Sequence, residues 1–194
     1  VIIFGSSSIK TKKPLGHFFR AFSAVICVVL FFFGIKFLLL SENQAIFHSA
    51  PIIASILAVP FLGEKIGFHR IFAILIGFAG VLIILKPGTD LFKIYSLISL
   101  GSGFFAALTY LTTRYLMSTE TSVSIIFYYS FALLLTSIPF ISKDFLIPSL
   151  IQLLPLFSLG VIGSIGHYFA SLAAKNAEVV IITLVMIVIF NKVS

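Results

Sequence analysis

Long apolar runs alternate with short polar connectors along the whole chain. The pattern is clearest between Pro51 and Pro87, where two apolar runs lie on either side of a polar break at 63–70. Residues 45–62 and 71–85 contain no Lys, Arg, Asp or Glu, and each run approaches the roughly 20 apolar residues that cross the hydrocarbon core of a bilayer. The pattern therefore predicts two membrane-spanning helices joined by a tight polar turn.

The same alternation over the remaining sequence predicts seven membrane-spanning helices in all. Their expected bounds are 17–35, 42–62, 67–85, 94–115, 122–141, 149–174 and 177–190. Because the connectors are short, consecutive helices should be antiparallel neighbours, and no separate soluble domain is expected. The predicted fold class is all-α integral membrane, a polytopic helix bundle that holds every functional group.

The two ends of the sequence bear on how much of the protein it represents. The chain opens on an apolar stub, Val1 to Phe4, rather than on Met, and it stops a few residues past the seventh apolar run. We therefore expect both ends to be cut from a longer protein.

Composition supports the membrane class and excludes others. Hydrophobic residues make up 60% of the chain and charged residues 10%, against about 25% charged in typical soluble domains. Long apolar runs, rather than short alternating ones, argue against an outer-membrane barrel. The net charge is +7, but the basic residues lie singly or in small groups at the edges of apolar runs, so nucleic-acid binding is not expected. Cys27 is the only cysteine, which excludes an intrachain disulfide.

Basic residues are distributed unevenly over alternate connectors. One side carries eight of them: Lys10, Lys12, Lys13, Arg20, Lys65, Arg70, Arg114 and Lys175. The other side carries four, Lys36, Lys86, Lys93 and Lys143, with Lys192 as a possible fifth. The richer side is predicted to be cytoplasmic. We therefore expect a multi-pass protein of the cytoplasmic (inner) membrane, with cytoplasmic loops at 5–16, 63–66, 114–121 and 175–176, and with the whole Lys10 to Arg20 segment forming one of them.

Several motifs follow one another in a specific order. The first group is Phe33-Gly34-Ile35-Lys36-Phe37, then Glu42, Ala45, Pro51, Leu62-Gly63-Glu64 and Gly77-Phe78-Ala79-Gly80-Val81. A second group, Leu159-Gly160-Val161-Ile162-Gly163-Ser164 and then Ala173 to Glu178, lies in the other half. In both groups the chain resembles an EamA-like permease of the drug/metabolite transporter superfamily. It departs from the family at Leu39, where many relatives have Pro.

The resemblance implies ten spans in two inverted five-helix repeats. Residues 1–87 would then hold the end of span 2 and spans 3–5 of the first repeat, and residues 94–194 would hold spans 6–9 of the second, with span 10 missing. It also implies a secondary transporter that moves a small organic metabolite across the cytoplasmic membrane by alternating access. The family's substrates include amino acids, nucleobase-like compounds and S-adenosylmethionine.

Two histidines within predicted spans are the first candidates for substrate binding, because an ionisable group at membrane depth is costly unless it has a function. His48 shares a helical stripe with Ser41, Gln44 and Ser55. His167 shares one with Gly160, Gly163, Ser164 and Ser171. The alternative in both cases is a neutral histidine that forms a hydrogen bond to a neighbouring helix.

Further candidates follow from side-chain type and position. Those considered for substrate binding are Ser55, Tyr110, Tyr128, Tyr129 and Ser164, with helix packing as the alternative for the three tyrosines and for the stripe that contains Ser164. Those considered structural are Pro51, Gly63, Glu64, Gly77 and Gly80. Pro51 and Pro60 are expected to kink a helix, either beside a substrate cavity or for packing. Glu64 is expected to end its helix beside Lys65 and Arg70.

Enzymatic chemistry has no candidate in the sequence. No zinc-protease, nucleophile-elbow or phosphate-loop motif occurs, and neither His48 nor His167 has a second ligand at metal-binding spacing. We therefore predict no catalytic residues, no metal and no cofactor. The expected partners are a small-molecule substrate and the lipid bilayer, with the oligomeric state left open.

Ion coupling and two other functions remain alternatives. All six acidic residues lie at the ends of predicted spans, so proton coupling would fall to a histidine or to residues outside the chain. A non-transporting accessory subunit or inactive gene fragment is the main alternative to a transporter, and a membrane-embedded enzyme is the weaker one.

Overall fold

Every element in the described part of the chain is helical. The computed structural model describes residues 11–63, 67–85, 94–140 and 148–176. Seven α-helices follow in order: α1 (Pro14–Ile35), α2 (Leu40–Phe47), α3 (Ala50–Leu62), α4 (Phe68–Leu85), α5 (Tyr95–Met117), α6 (Ser122–Ser137) and α7 (Leu150–Asn176). A short 3-10 turn, Ile138–Phe140, extends α6. The all-α prediction is confirmed.

Four described stretches are long and apolar enough to cross a membrane. They are Pro14–Ile35, Leu40–Leu62, Tyr95–Met117 and Leu150–Lys175. Helix α6 is a shorter apolar helix. These stretches support a polytopic helical membrane protein. The last predicted span, 177–190, lies outside the described residues.

Helices α1 and α5 form an antiparallel pair that runs the length of the bundle. Arg20 near the start of α1 contacts Thr113 near the end of α5. At the other end, the rings of Phe37 and Tyr95 stack with their centroids 4.0 Å apart. Small residues let the two helices approach closely. A Cβ atom added to Gly34 would overlap the side chains of Asn43 and Ser99.

The second predicted span is broken into two helices. Its sequence predicts one helix over 42–62, but α2 ends at Phe47 and α3 begins at Ala50. Pro51 explains the break, since it has no N–H to bond the preceding turn. In the structure Pro51 occupies the first turn of α3, where a missing N–H is tolerated. The helix is thus interrupted in the turn just before Pro51, as a helix-disrupting proline predicts, and Pro60 is the proline inside α3.

The broken segment packs against α5 in the same direction. Gly103 of α5 lies so close to the break that an added Cβ atom would be 3.0 Å from Ser49 Oγ and 3.3 Å from the carbonyl oxygen of Phe47. Further along, Ala54 of α3 and Ala107 of α5 are fully buried against each other. Because α5 runs antiparallel to α1 and parallel to α3, helix directions alternate as the short connectors predict.

Two glycines show how α3 is bounded and covered. Gly63 ends α3 with φ of 66°, a left-handed conformation that glycine adopts at helix ends without strain. Gly77 of α4 lies against Ile52 of α3, since an added Cβ atom would be 2.7 Å from Ile52 Cδ1. Gly80, one turn further on, has nothing within 4 Å of its Cβ position. Glu64 lies outside the described residues.

Candidate functional site

Arg20 is buried inside the bundle, with only 3% of its surface exposed. The sequence predicts it to lie in a cytoplasmic loop, and that prediction is wrong. The helix begins three residues earlier than expected, because Pro14 occupies the first helical position of α1, which proline favours. Arg20 is therefore in the second turn of α1, on the face that packs against α5. A charged side chain in this position is a functional candidate by default.

The guanidinium of Arg20 has two well-defined neighbours. Its Nε atom donates a hydrogen bond of 2.8 Å to the Oγ1 atom of Thr113, which is itself buried. Its Cζ atom lies 4.9 Å from the ring centroid of Tyr129 on α6, within the range of a cation–π contact. The Nη1 atom has no hydrogen-bond partner among the described residues.

His17 lies one turn before Arg20 on the same face of α1. Its ring packs against that of Tyr128, with centroids 4.5 Å apart, and its Nε2 atom is 3.7 Å from Glu120 Oε2. Both His17 and Glu120 are buried. The spacing of three residues places His17 and Arg20 on one helix face, so both point to the same neighbouring helices.

Glu120 caps the beginning of α1 from the connector between α5 and α6. Its Oε1 atom accepts hydrogen bonds from the Thr11 hydroxyl at 3.0 Å and from the backbone N–H groups of Lys12 and Lys13 at 2.7 and 3.1 Å. Burial by itself would raise the pKa of this carboxyl, but these hydrogen bonds and the nearby His17 outweigh it and hold the pKa below its usual value. The 11–13 segment and the α5–α6 connector therefore lie at the same end of the bundle.

The structure brings three of the predicted binding residues together around Arg20 and His17. They are Tyr128 and Tyr129 on α6 and His167 on α7. The rings of Tyr129 and His167 are 5.2 Å apart. His167 is exposed whereas Arg20 is buried, so the group extends from the outside of the described bundle to its interior. We call these five residues, Arg20, His17, Tyr128, Tyr129 and His167, the arginine cluster.

Of the remaining predicted binding residues, His48, Ser55 and Ser164 lie elsewhere. His48 follows α2 at the helix break, with its Nε2 atom 3.3 Å from Gln44 Nε2. Ser55 is buried and donates to the carbonyl oxygen of Pro51. Ser164 is exposed and donates to the carbonyl oxygen of Gly160 on its own helix. Tyr110, 36% exposed, lies on α5 one turn before Thr113.

Sequence reasoning missed Arg20, His17 and Glu120. A signal was available for the first two, because they stand three residues apart at the start of an apolar run that Pro14 opens. No local signal marks Glu120, since its partners are 107 to 109 residues away in sequence. A second missed contact is the hydrogen bond from the Ser99 hydroxyl to the Asn43 side chain, which ties α5 to α2.

Two further observations on the described chain concern a cavity and metal binding. An open cavity of about 510 Å³ lies between α1 and α6. Its walls are almost wholly apolar, and its polar members are Lys36, Thr136 and Ser137. Within the described residues, no three His, Cys, Asp or Glu side chains are grouped so that they could hold a metal ion.

Residues 1–86 match the model of the EamA-like transporter family. This first part of the chain is therefore EamA-like, and the comparisons support a likeness of the chain to EamA-like permeases of the drug/metabolite transporter superfamily. This confirms the resemblance that the motifs around Gly63 and Gly80 indicate. No solved structure is significantly similar to it.

Several curated relatives of this EamA-like protein are named transporters of small molecules. The S-adenosylmethionine uptake transporter of Rickettsia bellii (strain RML369-C) is 30% identical over 168 residues, which cover 85% of this chain and 57% of the relative. The pseudopaline exporter of Pseudomonas aeruginosa (strain UCBPP-PA14) is 26% identical over 176 residues, covering 89% and 62%. The riboflavin transporter of Vibrio cholerae is 33% identical over 134 residues, covering 69% and 44%. The EamA-like chain thus spans 57% to 62% of the length of the first two relatives.

Proposed function

We propose that this EamA-like protein belongs to a secondary transporter that moves a small organic metabolite across the cytoplasmic membrane by alternating access. The observation that carries the proposal is the helix break between α2 and α3 beside Gly103 of α5. Irregular backbone at membrane depth is tolerated only where protein buries it or where it lines a cavity. Transporters of inverted-repeat design use such broken helices at the junction of their repeats.

The packing of α5 supports this junction. In the proposed division, α1, the broken pair α2–α3 and α4 are spans 3, 4 and 5 of the first repeat. Helices α5, α6 and α7 are then spans 6, 7 and 8 of the second. Most of the buried side chains of α5 are small or polar: Ser96, Ser99, Ser102, Gly103, Ala106, Ala107 and Thr113. The large buried ones, Leu111, Leu116 and Met117, lie towards the end of the helix. Small residues let the helices of the two proposed repeats approach closely along this part of α5.

The named relatives support the substrate class at a coarse level. Their names give S-adenosylmethionine, pseudopaline and riboflavin, and include both uptake and export. Compounds this different have in common that they are small organic molecules. We therefore propose a small organic substrate without assigning the direction of transport, and we place the end of the bundle that holds Thr11 and Glu120 in the cytoplasm.

Two groups of residues are proposed to contact substrate during the cycle. One is the arginine cluster, with Tyr110 beside it. The other is the helix break, where His48 and Ser55 lie. We propose Ser164 as a more peripheral contact on α7. Alternating access would expose one side and then the other, so both groups are expected to influence flux.

A reconstituted transport assay tests the proposal. The full-length gene product would be placed in phosphatidylethanolamine–phosphatidylglycerol vesicles, and entry of S-adenosylmethionine, riboflavin, amino acids and nucleobases would be followed by mass spectrometry. At least one compound should enter these vesicles faster than it enters protein-free vesicles. An excess of the same compound in unlabelled form should slow the entry of its isotope-labelled form. Failure of every compound in a broad metabolite library to cross would contradict the proposal.

A matched pair of glycine variants connects the assay to the helix break. Gly103→Leu places a side chain against Ser49 and Phe47, so flux should be lost. Gly80→Leu adds the same side chain at a position with open space around it and should retain flux. Size-exclusion chromatography of both variants checks that they fold. Equal flux through the two variants would remove the helix break from the mechanism.

A further inference from the structure

We propose that Arg20 binds a carboxylate of the transported molecule, so that the substrate is an organic carboxylate whose apolar or aromatic part contacts Tyr129 and His167. This inference rests on the proposed transport function and gives its substrate class. The observations that carry it are the burial of Arg20, the unused Nη1 atom and the aromatic neighbours.

The charge of Arg20 is only partly satisfied by the protein. An arginine side chain stays protonated in proteins, and an isolated charge in an apolar interior is very costly. Arg20 is 3% exposed, its single hydrogen bond among the described residues goes to the neutral hydroxyl of Thr113, and its Nη1 atom has no partner there. Neither described carboxylate pairs with Arg20. The carboxylate of Glu120 is near His17 and accepts from the N–H of Lys12 before α1, and that of Glu42 accepts from the N–H of Leu39.

The geometry favours a carboxylate over a larger anion. A guanidinium presents its N–H groups in a planar fork that matches the two oxygens of a carboxylate. One part of that fork, Nε, is held by Thr113, which fixes the plane and leaves Nη1 for a ligand. The other basic side chain on this face of α1, His17, has its Nε2 atom 3.7 Å from Glu120 Oε2, and neither of its ring nitrogens forms a hydrogen bond among the described residues. A single positive charge suits a singly charged carboxylate better than a phosphate.

The surroundings of Arg20 suit an organic molecule rather than an inorganic ion. Tyr129 lies 4.9 Å from the guanidinium carbon, and His167 lies 5.2 Å from Tyr129, on the exposed side. These flat rings offer faces on which an apolar or aromatic group can pack. A ligand that enters past His167 would contact the rings of His167 and Tyr129 before it reaches Arg20. Its carboxylate would therefore be the innermost group.

Equilibrium binding to pairs of compounds that differ only in the carboxylate tests the inference. The probes are S-adenosylmethionine with its decarboxylated form, and a set of amino acids with their amides, each titrated into the full-length protein in detergent. At least one carboxylate should bind more tightly than its partner by about 30-fold or more, the effect expected when one member of a buried charge pair is missing. Equal affinities within every pair, or no binding by any carboxylate, would overturn the inference without any variant.

Variants then assign the preference to Arg20. Arg20→Gln should abolish the difference between a carboxylate and its partner, and Arg20→Lys should restore part of it, since lysine keeps the charge but not the fork. Arg114→Gln is the matched control, because it removes an arginine from the last turn of α5, at the same end of the bundle. This variant should keep the full preference for the carboxylate. An undiminished preference in folded Arg20→Gln would overturn the inference.

The outcomes separate this inference from the proposed function. Transport of riboflavin or another compound without a carboxylate dependence would leave the transport function standing and remove the role of Arg20. Carboxylate binding that depends on Arg20, with no flux of any compound, would keep the site and remove the transport function.

Discussion

The Nε atom of Arg20 lies 2.8 Å from the Oγ1 atom of Thr113, and this hydrogen bond joins two helices whose contacting residues are 93 positions apart. It sits at the end of the α1–α5 pair where Glu120 also caps α1. A buried cation, its neutral acceptor and a capping carboxylate are therefore concentrated at one end of the described bundle.

Replacing Thr113 with Val should destabilise the protein, because a buried arginine would lose its hydrogen-bond acceptor. The expected loss is about 1–3 kcal/mol, the cost of leaving a buried polar group unpaired. Thr112→Val is the matched control, since its hydroxyl donates to the carbonyl oxygens of Leu108 and Thr109 on its own helix. Thermal unfolding of the purified full-length protein in detergent measures both. Similar melting temperatures for the two variants would show that Arg20 does not depend on Thr113.

Glu120→Gln should remove a part of stability that depends on pH. The pKa of this carboxyl is held below its usual value of 4.5 in the folded protein, so its ionised form favours folding. That contribution is complete above pH 4.5, and it is lost as pH falls through the lower pKa of the folded state. The melting temperature of the wild-type protein should therefore exceed that of Glu120→Gln at neutral pH, and the gap should narrow in acid. Thr119→Ala, an uncharged change in the same connector, should show a constant gap.

Gly34→Ala should destabilise the contact between α1, α2 and α5. The added methyl group would overlap the side chains of Asn43 and Ser99, which form a buried hydrogen bond with each other. Overpacking of this kind costs about 1–3 kcal/mol. Gly80→Ala, in a helix with open space at that position, should be neutral or slightly stabilising, because alanine favours helices over glycine. Chemical unfolding in detergent measures the stability of both variants. The packing argument is refuted if Gly80→Ala proves less stable than Gly34→Ala.

Tyr129→Leu should destabilise the arginine cluster more than Tyr129→Phe. Phenylalanine keeps the aromatic face over the guanidinium of Arg20, whereas leucine removes the ring electrons that attract the cation. The expected difference is about 0.5–2 kcal/mol. Tyr168 has a half-buried ring on α7 that packs on Phe169, so the same two changes at Tyr168 provide the control. A double-mutant cycle with Arg20→Gln would yield no coupling energy if the two side chains were independent.

Sequence patterning predicted the helices well because a helix across a membrane is specified locally. The apolar runs at 17–35, 94–115 and 149–174 correspond to α1, α5 and α7 within three residues at each end. The run at 42–62 predicts one continuous helix, whereas the structure has α2 and α3 there. Its break depends on Pro51 and on the packing space at Gly103, and only the first of these is visible in the sequence.

The candidate site was only partly predictable. Polar and aromatic side chains in apolar runs stand out in the sequence, which is why Tyr128, Tyr129 and His167 are candidates before the structure is considered. A charge at the edge of an apolar run is typical of an interfacial anchor, so the sequence predicts Arg20 in a loop. Packing of this turn of α1 against Thr113 of α5 and Tyr129 of α6 is what buries Arg20 at the helix interface.

The sequence by itself determined that this is a helical membrane protein, because hydrophobicity, helix-ending glycine and proline position act within a few residues of each other. The order of its motifs indicated the resemblance to EamA-like permeases. The tertiary structure alone decided that Glu120 caps α1, that Thr113 holds Arg20 and that Gly103 faces the broken helix. Those contacts join residues 54 to 109 positions apart, and such pairings form only when the helices pack, since no local interaction specifies which faces meet.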